Sequence, residues 1–463
     1  MRERPGYAEP YKIKMVEAIE LKPKETRRKT IKEVGYNVFN LKAEDIYIDL
    51  LTDSGTSAMS NKQWAAIFLG DESYAGARSY FHFIDAVKDI FGYKYVVPAH
   101  QGRAAENIVM GMFVSEGQRV LGNMHFDTTE GHIQLRKALP INLLRDEGYD
   151  TAYETPFKGN IDLDKLEAEL KVGAKDNSIP FVMMTVTCNS NGGQPVSMEN
   201  IKAASEITHK YGLPLLFDAA RYAENCYYIK TREKGYEDKS IKEIAREMFS
   251  YGDGATMSSK KDALVNIGGF FAIKDNEEFY KKATQREIQY EGFRTYGGLA
   301  GRDLEAISVG LYEGLDFDYL EDRIGQVKYL GDKLIDLGVP LQMPIGGHGV
   351  FIDAKKFLPG FEQKYFPAQA LTVALYEEGG IRGVELGTCA FGKTDPETGK
   401  DMYPELEFVR LAIPRRVYTD RHMDMIASTM EKITHDKSIV KKLKLVSPWN
   451  VVMRHFTAQF EQI

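Results

Sequence analysis

Two adjacent lysines, Lys260 and Lys261, follow a short apolar run that closes with Met257-Ser258-Ser259. In open solvent such a pair is an ordinary charged turn. Placed among other cations in a crevice, a lysine is easier to deprotonate and forms a Schiff base with an aldehyde. Three other segments carry chemistry that matches. Asp218 ends the apolar stretch Leu213–Phe217, with Arg221 three residues on. Burying an unpaired carboxylate is costly, so the two read either as a structural ion pair or as an acid that meets a protonated ring nitrogen. Gln101-Gly102-Arg103 follows Tyr95–Pro98 and opens a helical stretch. Backbone N–H groups at a helix start, a glycine and an arginine suit an anion, although the tripeptide alone also reads as a plain strand–turn–helix junction. Asn189 stands in the glycine turn NSNGGQPVS after Phe181–Cys188. In chain order the set is an anion cradle, an asparagine, a strand-end aspartate with its arginine, and Ser258-x-x-Lys261. Together these fit pyridoxal phosphate: phosphate on Gln101, Gly102, Arg103 and Ser258, ring nitrogen on Asp218, aldehyde on a lysine.

The elements that must position these groups are short apolar runs alternating with helical patterns. Candidate strands are Tyr95–Pro98, Phe181–Cys188, Leu213–Phe217, Ala255–Ser258 and Gly269–Ile273; candidate helices are Ala104–Phe113, Met198–Lys210 and Ile241–Phe249. That alternation predicts an α/β fold with a mostly parallel sheet covered on both faces. Ligands in such sheets sit beyond the carboxyl ends of the strands, where all four segments lie. After about residue 325 the texture becomes α+β, with helices expected over Glu321–Leu337, Gln369–Gly379 and His422–His435 and strands over Gly349–Asp353, Val409–Ala412 and Val451–Phe460. The expected division is an N-terminal arm and part of a small domain over 1–55, a large cofactor-binding domain over 56–324, and a small C-terminal domain over 325–463. Residues 391–404 form a polar insert rich in turn residues.

Composition limits the alternatives. The chain has 463 residues, 43% hydrophobic and 27% charged, which excludes a disordered or fibrous protein. A net charge of −7 argues against a nucleic-acid partner. Six basic residues within 22–32 read as a solvated helix face rather than an anion-binding arm. Three scattered cysteines make neither a disulfide framework nor a CxxC metal site. No apolar run approaches the roughly 18 residues of a membrane span, and the charged start MRERPGYAEPYKIK lacks a signal-peptide core. The expectation is a soluble, cytoplasmic protein without a membrane partner.

The longer blocks carry a resemblance. YIDLLTDSGTSAMS (47–60), GDESYAG (70–76), HQGRAAEN (100–107), GGQPVS (192–197), MSSKKDALVNIGG (257–269), YGGLAGRD (296–303), IPRRVYT (413–419) and RHFTAQF (454–460) are similar to the β-eliminating lyases among the aspartate-aminotransferase-like (fold type I) pyridoxal-phosphate enzymes. The likeness spans essentially the whole chain. It implies that Lys261 is the Schiff-base lysine and the base for the α-proton, and that Lys260 adds positive potential near the phosphate. Phe126 would stack on the cofactor ring, and Asn189 and Arg221 would face its 3-oxygen. Many transaminases have a tyrosine where Arg221 stands. Arg415 would grip the substrate carboxylate. A monovalent cation, usually potassium, is implied at a subunit contact by Gly55, Glu72 and Asn266. The resemblance also implies a homotetramer in which Tyr74 reaches the neighbouring subunit's site.

Members of this family release indole from L-tryptophan or phenol from L-tyrosine. The phenol lyases have an arginine in the segment matching Ile381–Gly387, a threonine after the stacking phenylalanine and Phe-Phe-Thr near the C-terminus. This chain has Leu386, Asp127 and His455 at those places, which implies the tryptophan-cleaving branch, producing indole, pyruvate and ammonium. An apolar Leu386 suits a bicyclic indole. Indole leaves well only after protonation at C3, for which Tyr74 and Asp127 are the candidate acids, and His455 would hold Asp127 or the indole N–H in register. The alternative is the tyrosine-cleaving branch.

Overall fold

The computed structural model describes residues 8–173, 175–395 and 397–463. Residues 1–7 of the expected N-terminal arm and residue 396 of the polar insert lie outside the described residues. The chain divides into two compact units. The larger holds Ser54–Gly148 and Thr155–Glu321; the smaller holds the N-terminal stretch to Asp53, Tyr149–Glu154 and Asp322–Ile463.

The larger unit is built on a seven-stranded sheet. Its spatial order is Tyr95–Ala99, Gly269–Ile273, Gly254–Ser258, Leu215–Asp218, Val182–Thr185, Arg119–Gly122 and Leu139–Asn142. Gly269–Ile273 runs antiparallel to both neighbours; the remaining pairs are parallel. The central strands are continuous apolar runs because each lies under helices on both faces. Successive side chains point to opposite sides: Val182, Met184, Leu215, Phe217, Phe270 and Ala272 join one core cluster, and Phe181, Met183, Leu216, Phe271 and Ile273 join another. This is the expected α/β architecture with a mainly parallel sheet. Two strands escaped the sequence reading. Arg119–Gly122 is only four residues long, and Leu139–Asn142 is an edge strand whose outer residues are exposed, so neither shows a long apolar run.

The smaller unit has a three-stranded antiparallel sheet ordered Val384–Leu386, Phe408–Ala412, Gly349–Asp353. Helices Pro367–Gly379 and Asp420–His435 pack in its core with Ile31, Val38 and Ile48 from the N-terminal stretch. Ile48–Asp49 pairs in parallel with Ile381–Arg382. The strand expected over Val451–Phe460 does not form. A 3₁₀ turn covers Arg454–Phe456 and the strand is confined to Phe460–Gln462. The cause is Arg454, which turns inward and donates to the carbonyls of Thr388, Cys389 and Gly392.

The loop that carries Lys261 is clamped from three sides within the larger unit. Gln63, fully buried, donates to the carbonyls of Ala263 and Leu264, both at 3.2 Å. Asp262 accepts from the Ala223 N–H at 2.7 Å and so ties the loop to the start of helix Tyr222–Arg232. Gly310, in helix Gly301–Glu313, lies so close that an added Cβ would sit 1.8 Å from the Ala263 carbonyl oxygen. A backbone oxygen has no rotamer in which to yield. Gly310→Ala is therefore expected to destabilise the protein by about 2–3 kcal/mol, as overpacking of a rigid site does, measured as a lowered midpoint of chemical denaturation.

Candidate active site

Beyond the carboxyl ends of the central strands the larger unit assembles most of the residues singled out by sequence. Gln101 precedes helix Gly102–Phe113, whose first turn has no side-chain cap. An added Cβ on Gly102 would lie 2.5 Å from Ser258 Cβ, so the helix start rests directly on the end of the Gly254–Ser258 strand. The buried hydroxyls of Ser258 and Ser259 have no hydrogen-bond partner among the described residues. Lys260 donates to Gln101 Oε1 at 3.1 Å. Burial, followed by the nearby Arg103 charge, pushes the Lys260 ammonium below its ordinary value. Two cations, two hydroxyls without partners and an uncapped helix start at one place form a site for a multiply charged anion. The donor set fits the phosphate of pyridoxal phosphate.

Asp218 is the last residue of its strand and is buried. Burial pushes its carboxyl up; the Lys261 charge, the Ala220 N–H at 3.2 Å and Arg221 pull it back down. Lys261 and Asp218 therefore share one electrostatic neighbourhood, as a lysine at a cofactor's aldehyde and an acid at its ring nitrogen must. Asn189 is buried in a 3₁₀ turn, and Arg221 is buried at the N-cap of helix Tyr222–Arg232. Phe126 caps helix Asp127–Gln134, and Asp127 Oδ1 accepts from the Thr128 N–H at 2.6 Å.

One acid at this site was missed in the sequence. Glu106 is buried and accepts from the hydroxyls of Thr128 at 2.7 Å and Thr129 at 2.8 Å. Burial first, then the Asp218 charge, pushes it up to about 7, while Lys261 draws it down. It ties the helix that starts at the anion cradle to the helix that follows Phe126. The available signal was its spacing: Glu106 lies three and four residues after Arg103 and Gly102, on the same helical face.

Of the other expected residues, Gly55 lies beside the lysine loop, its N–H donating to the Lys260 carbonyl at 2.7 Å. Arg415 and His455 belong to the smaller unit. Arg415 is buried and donates to Asp53 Oδ2 at 2.9 Å; Arg323 lies 3.8 Å from the same oxygen. Asp53, inside the TDSG block, is the second residue missed. The His455 ring packs against Phe39 and Phe456, and Leu386 is buried at the end of its strand. Tyr74 is exposed, with its ring against Phe293 and Tyr296. Of the three cation positions, Gly55 and Asn266 meet, with the Asn266 amide donating to the Gly55 carbonyl at 2.9 Å. Glu72 is exposed and pairs with Arg302 at 2.8 Å. Among the described residues no group of three or more His, Cys, Asp and Glu is placed to hold a metal ion, and no helix is long and apolar enough to cross a membrane.

The architecture is that of fold type I pyridoxal-phosphate enzymes. The crystal structure of an aspartate aminotransferase from Thermotoga maritima superimposes with a TM-score of 0.62 at 14% identity, covering 89% of this chain and 96% of the other. The family described as beta-eliminating lyase matches residues 49–429. The chain belongs to the β-eliminating lyase family and is a pyridoxal-phosphate-dependent enzyme. It is 50% identical to a tyrosine phenol-lyase from Symbiobacterium sp. (strain SC-1) over 463 residues, all of both chains. It is 52% identical to a tryptophanase from Salinibacter ruber over 450 residues, 97% of this chain and 94% of that one. Most of the comparably similar relatives are named tyrosine phenol-lyase.

Two predictions follow from this geometry. Gly102→Ala places a methyl group against Ser258 and fills the anion cradle. Its dissociation constant for pyridoxal phosphate is expected to rise by about tenfold or more, read by titration of the cofactor's absorbance. The second concerns Glu385, buried beside Leu386 and pushed up to about 8 by burial and then by the Glu407 charge. The folded protein holds a proton here that the unfolded chain releases in the ordinary carboxyl range. Stability from this group is fully present below that range and is lost as pH rises to about 8. Melting temperatures at pH 6 and pH 8.5 are expected to differ less for Glu385→Gln than for the parent protein.

Proposed function

We propose that this enzyme cleaves L-tryptophan with water to indole, pyruvate and ammonium. The observation that carries the reading is Leu386, buried and apolar at the end of its strand, where the family's phenol lyases place an arginine. A phenol oxygen against that side chain would lose a hydrogen bond worth roughly 1–3 kcal/mol, whereas the carbon edge of an indole would lose none. Asp127 and His455 also stand where the phenol lyases differ, and the Salinibacter ruber relative supports the same reading. The names of most similar relatives favour L-tyrosine and phenol as the second reading.

Bound pyridoxal phosphate supplies an aldehyde for the substrate's amino group and a ring that withdraws electrons from its α-carbon. Gln101, Gly102, Arg103, Ser258 and Lys260 would hold the phosphate. Asp218 would meet the ring nitrogen, whose positive charge would offset the burial of the carboxyl group. Phe126 would stack on the ring, and Asn189 and Arg221 would face its 3-oxygen. Arg415, steadied by Asp53, takes the substrate carboxylate. Lys261 Nζ removes the α-proton, and Tyr74 and Asp127 serve the protonation of indole C3. His455 keeps the leaving group in register. Potassium is proposed at Gly55 and Asn266, with the exposed Glu72 available to complete the site across a subunit contact. The exposed side chains of Trp64, Phe68, Leu69 and Tyr74 support a homotetramer. Cytoplasmic location is part of the same reading.

The deciding experiment supplies the purified enzyme, pyridoxal phosphate and potassium with L-tryptophan or L-tyrosine and measures indole, phenol and pyruvate. Indole with equimolar pyruvate from tryptophan is the expected outcome. Phenol from tyrosine without indole from tryptophan would overturn the substrate assignment and leave the family membership standing.

A further inference from the structure

Leu386 is followed by Gly387 and a four-residue helix, Thr388–Phe391, that is enclosed by buried carboxyl and guanidinium groups. On its N–H side, Glu385 accepts from Cys389 at 2.8 Å and Ala390 at 3.1 Å. Glu407 accepts from the Thr388 N–H at 2.9 Å and its hydroxyl at 2.7 Å. On its carbonyl side, Arg454 donates from Nε to Cys389 at 3.1 Å and from Nη2 to Thr388 at 2.8 Å and Gly392 at 3.2 Å. The other nitrogen, Nη1, donates to the Trp449 carbonyl, and the guanidinium carbon lies 3.9 Å from a Trp449 ring centroid. All three side chains are at most 3% exposed.

A guanidinium presents its N–H groups as a rigid fork, and this one spends every nitrogen on a carbonyl. The residue after it is His455, and the carbonyls it holds begin two residues after Leu386. We infer that Arg454 is a positioning residue that locks the Leu386 and His455 segments together, so that they act on the leaving group as one rigid wall. This rests on the reading that those two residues meet the leaving group. Loss of the fork takes the side-chain donor from the carbonyls of Cys389 and Gly392 and leaves Thr388 with the Gly392 N–H alone, and it removes the positive charge that draws the buried Glu385 down. Leu386 and His455 are then free to shift relative to each other, while Arg415 keeps its own partner, Asp53.

The test separates the two ends of the substrate in the reconstituted holoenzyme. Arg454→Met keeps side-chain bulk over Trp449 and removes the fork. Inhibition constants are measured for indole, which is the leaving group alone, and for L-alanine, which has the amino and carboxylate groups alone. The indole constant is expected to rise at least tenfold and the L-alanine constant to stay within twofold, with Arg454→Lys intermediate. Equal rises for both ligands, or an unchanged indole constant, would overturn the inference. If Arg454→Met does not fold, Glu407→Gln and Arg454→Lys carry the same comparison, and the absence of a selective loss of indole in both overturns it as well. If the parent enzyme releases phenol instead of indole, the substrate assignment fails separately. Phenol then replaces indole in the comparison, and the role of Arg454 is judged by the same criterion.

Discussion

The site in the larger unit is organised around Asp218, a carboxyl group buried inside the protein. Its strand is buried from end to end, and water is not there to stabilise a carboxylate. Lys261, the Ala220 N–H and Arg221 are what oppose that burial, and each arrives by a different piece of backbone. The parallel neighbour Gly254–Ser258 delivers the Lys261 loop; the turn after the strand delivers Ala220 and Arg221. On the proposed reading a cationic ring nitrogen would complete the balance. The clamps on the lysine loop follow from this requirement. Gln63, Asp262 and the close approach of Gly310 restrict a segment whose charge must stay in place.

The parts of this site that were legible in the sequence are those written locally. Asp218 and the Ser258–Lys261 segment each follow an unbroken apolar strand, so position and chemistry appear together in a few residues. Gln101, Gly102 and Arg103 are legible for the same reason. Glu106 was not, because its burial depends on Thr128 and Thr129, some twenty residues away on another helix. Asp53 was not, because its partner Arg415 lies 362 positions along the chain. The strand expected over Val451–Phe460 failed on the same principle. Its local pattern permits an extended segment, but the carbonyls of Thr388–Gly392 capture Arg454 and bend the chain into a turn.

Guanidiniums do comparable work throughout the smaller unit, where they fasten the N-terminal stretch to the C-terminal half. Arg27 donates to the carbonyls of Tyr376, Glu377 and Glu378 at the end of helix Pro367–Gly379. Arg382 pairs with Asp49 through two nitrogens and also donates to the carbonyls of Val38 and Leu41. Arg410 donates to the Leu51 carbonyl. Carbonyls at helix ends and in loops are orphan acceptors, and a planar fork satisfies several at once with one buried charge. This explains why a stretch with little regular structure belongs firmly to the smaller unit. It also places Asp53, the last residue of that stretch, beneath Arg415.

The near-equal identity to relatives of both names has a physical reading. Two enzymes that break different carbon–carbon bonds from the same kind of amino acid share the anion cradle, the buried acid, the lysine and the carboxylate arginine. Overall identity therefore reports the shared fold and family rather than the leaving group. Discrimination between indole and phenol needs only a few contacts, because one buried polar group left unpaired is enough to reject a ligand by one or more orders of magnitude. On the proposed reading, Leu386 and His455 would be two such contacts in 463 residues, too few to move a percentage. What makes so few positions sufficient is rigidity: a pocket that yields would let a phenol oxygen find another partner. On the inference above, the buried Glu385, Glu407 and Arg454 around the Leu386 turn would supply that rigidity, and selectivity would rest on the groups behind the pocket as well as on the side chains facing it.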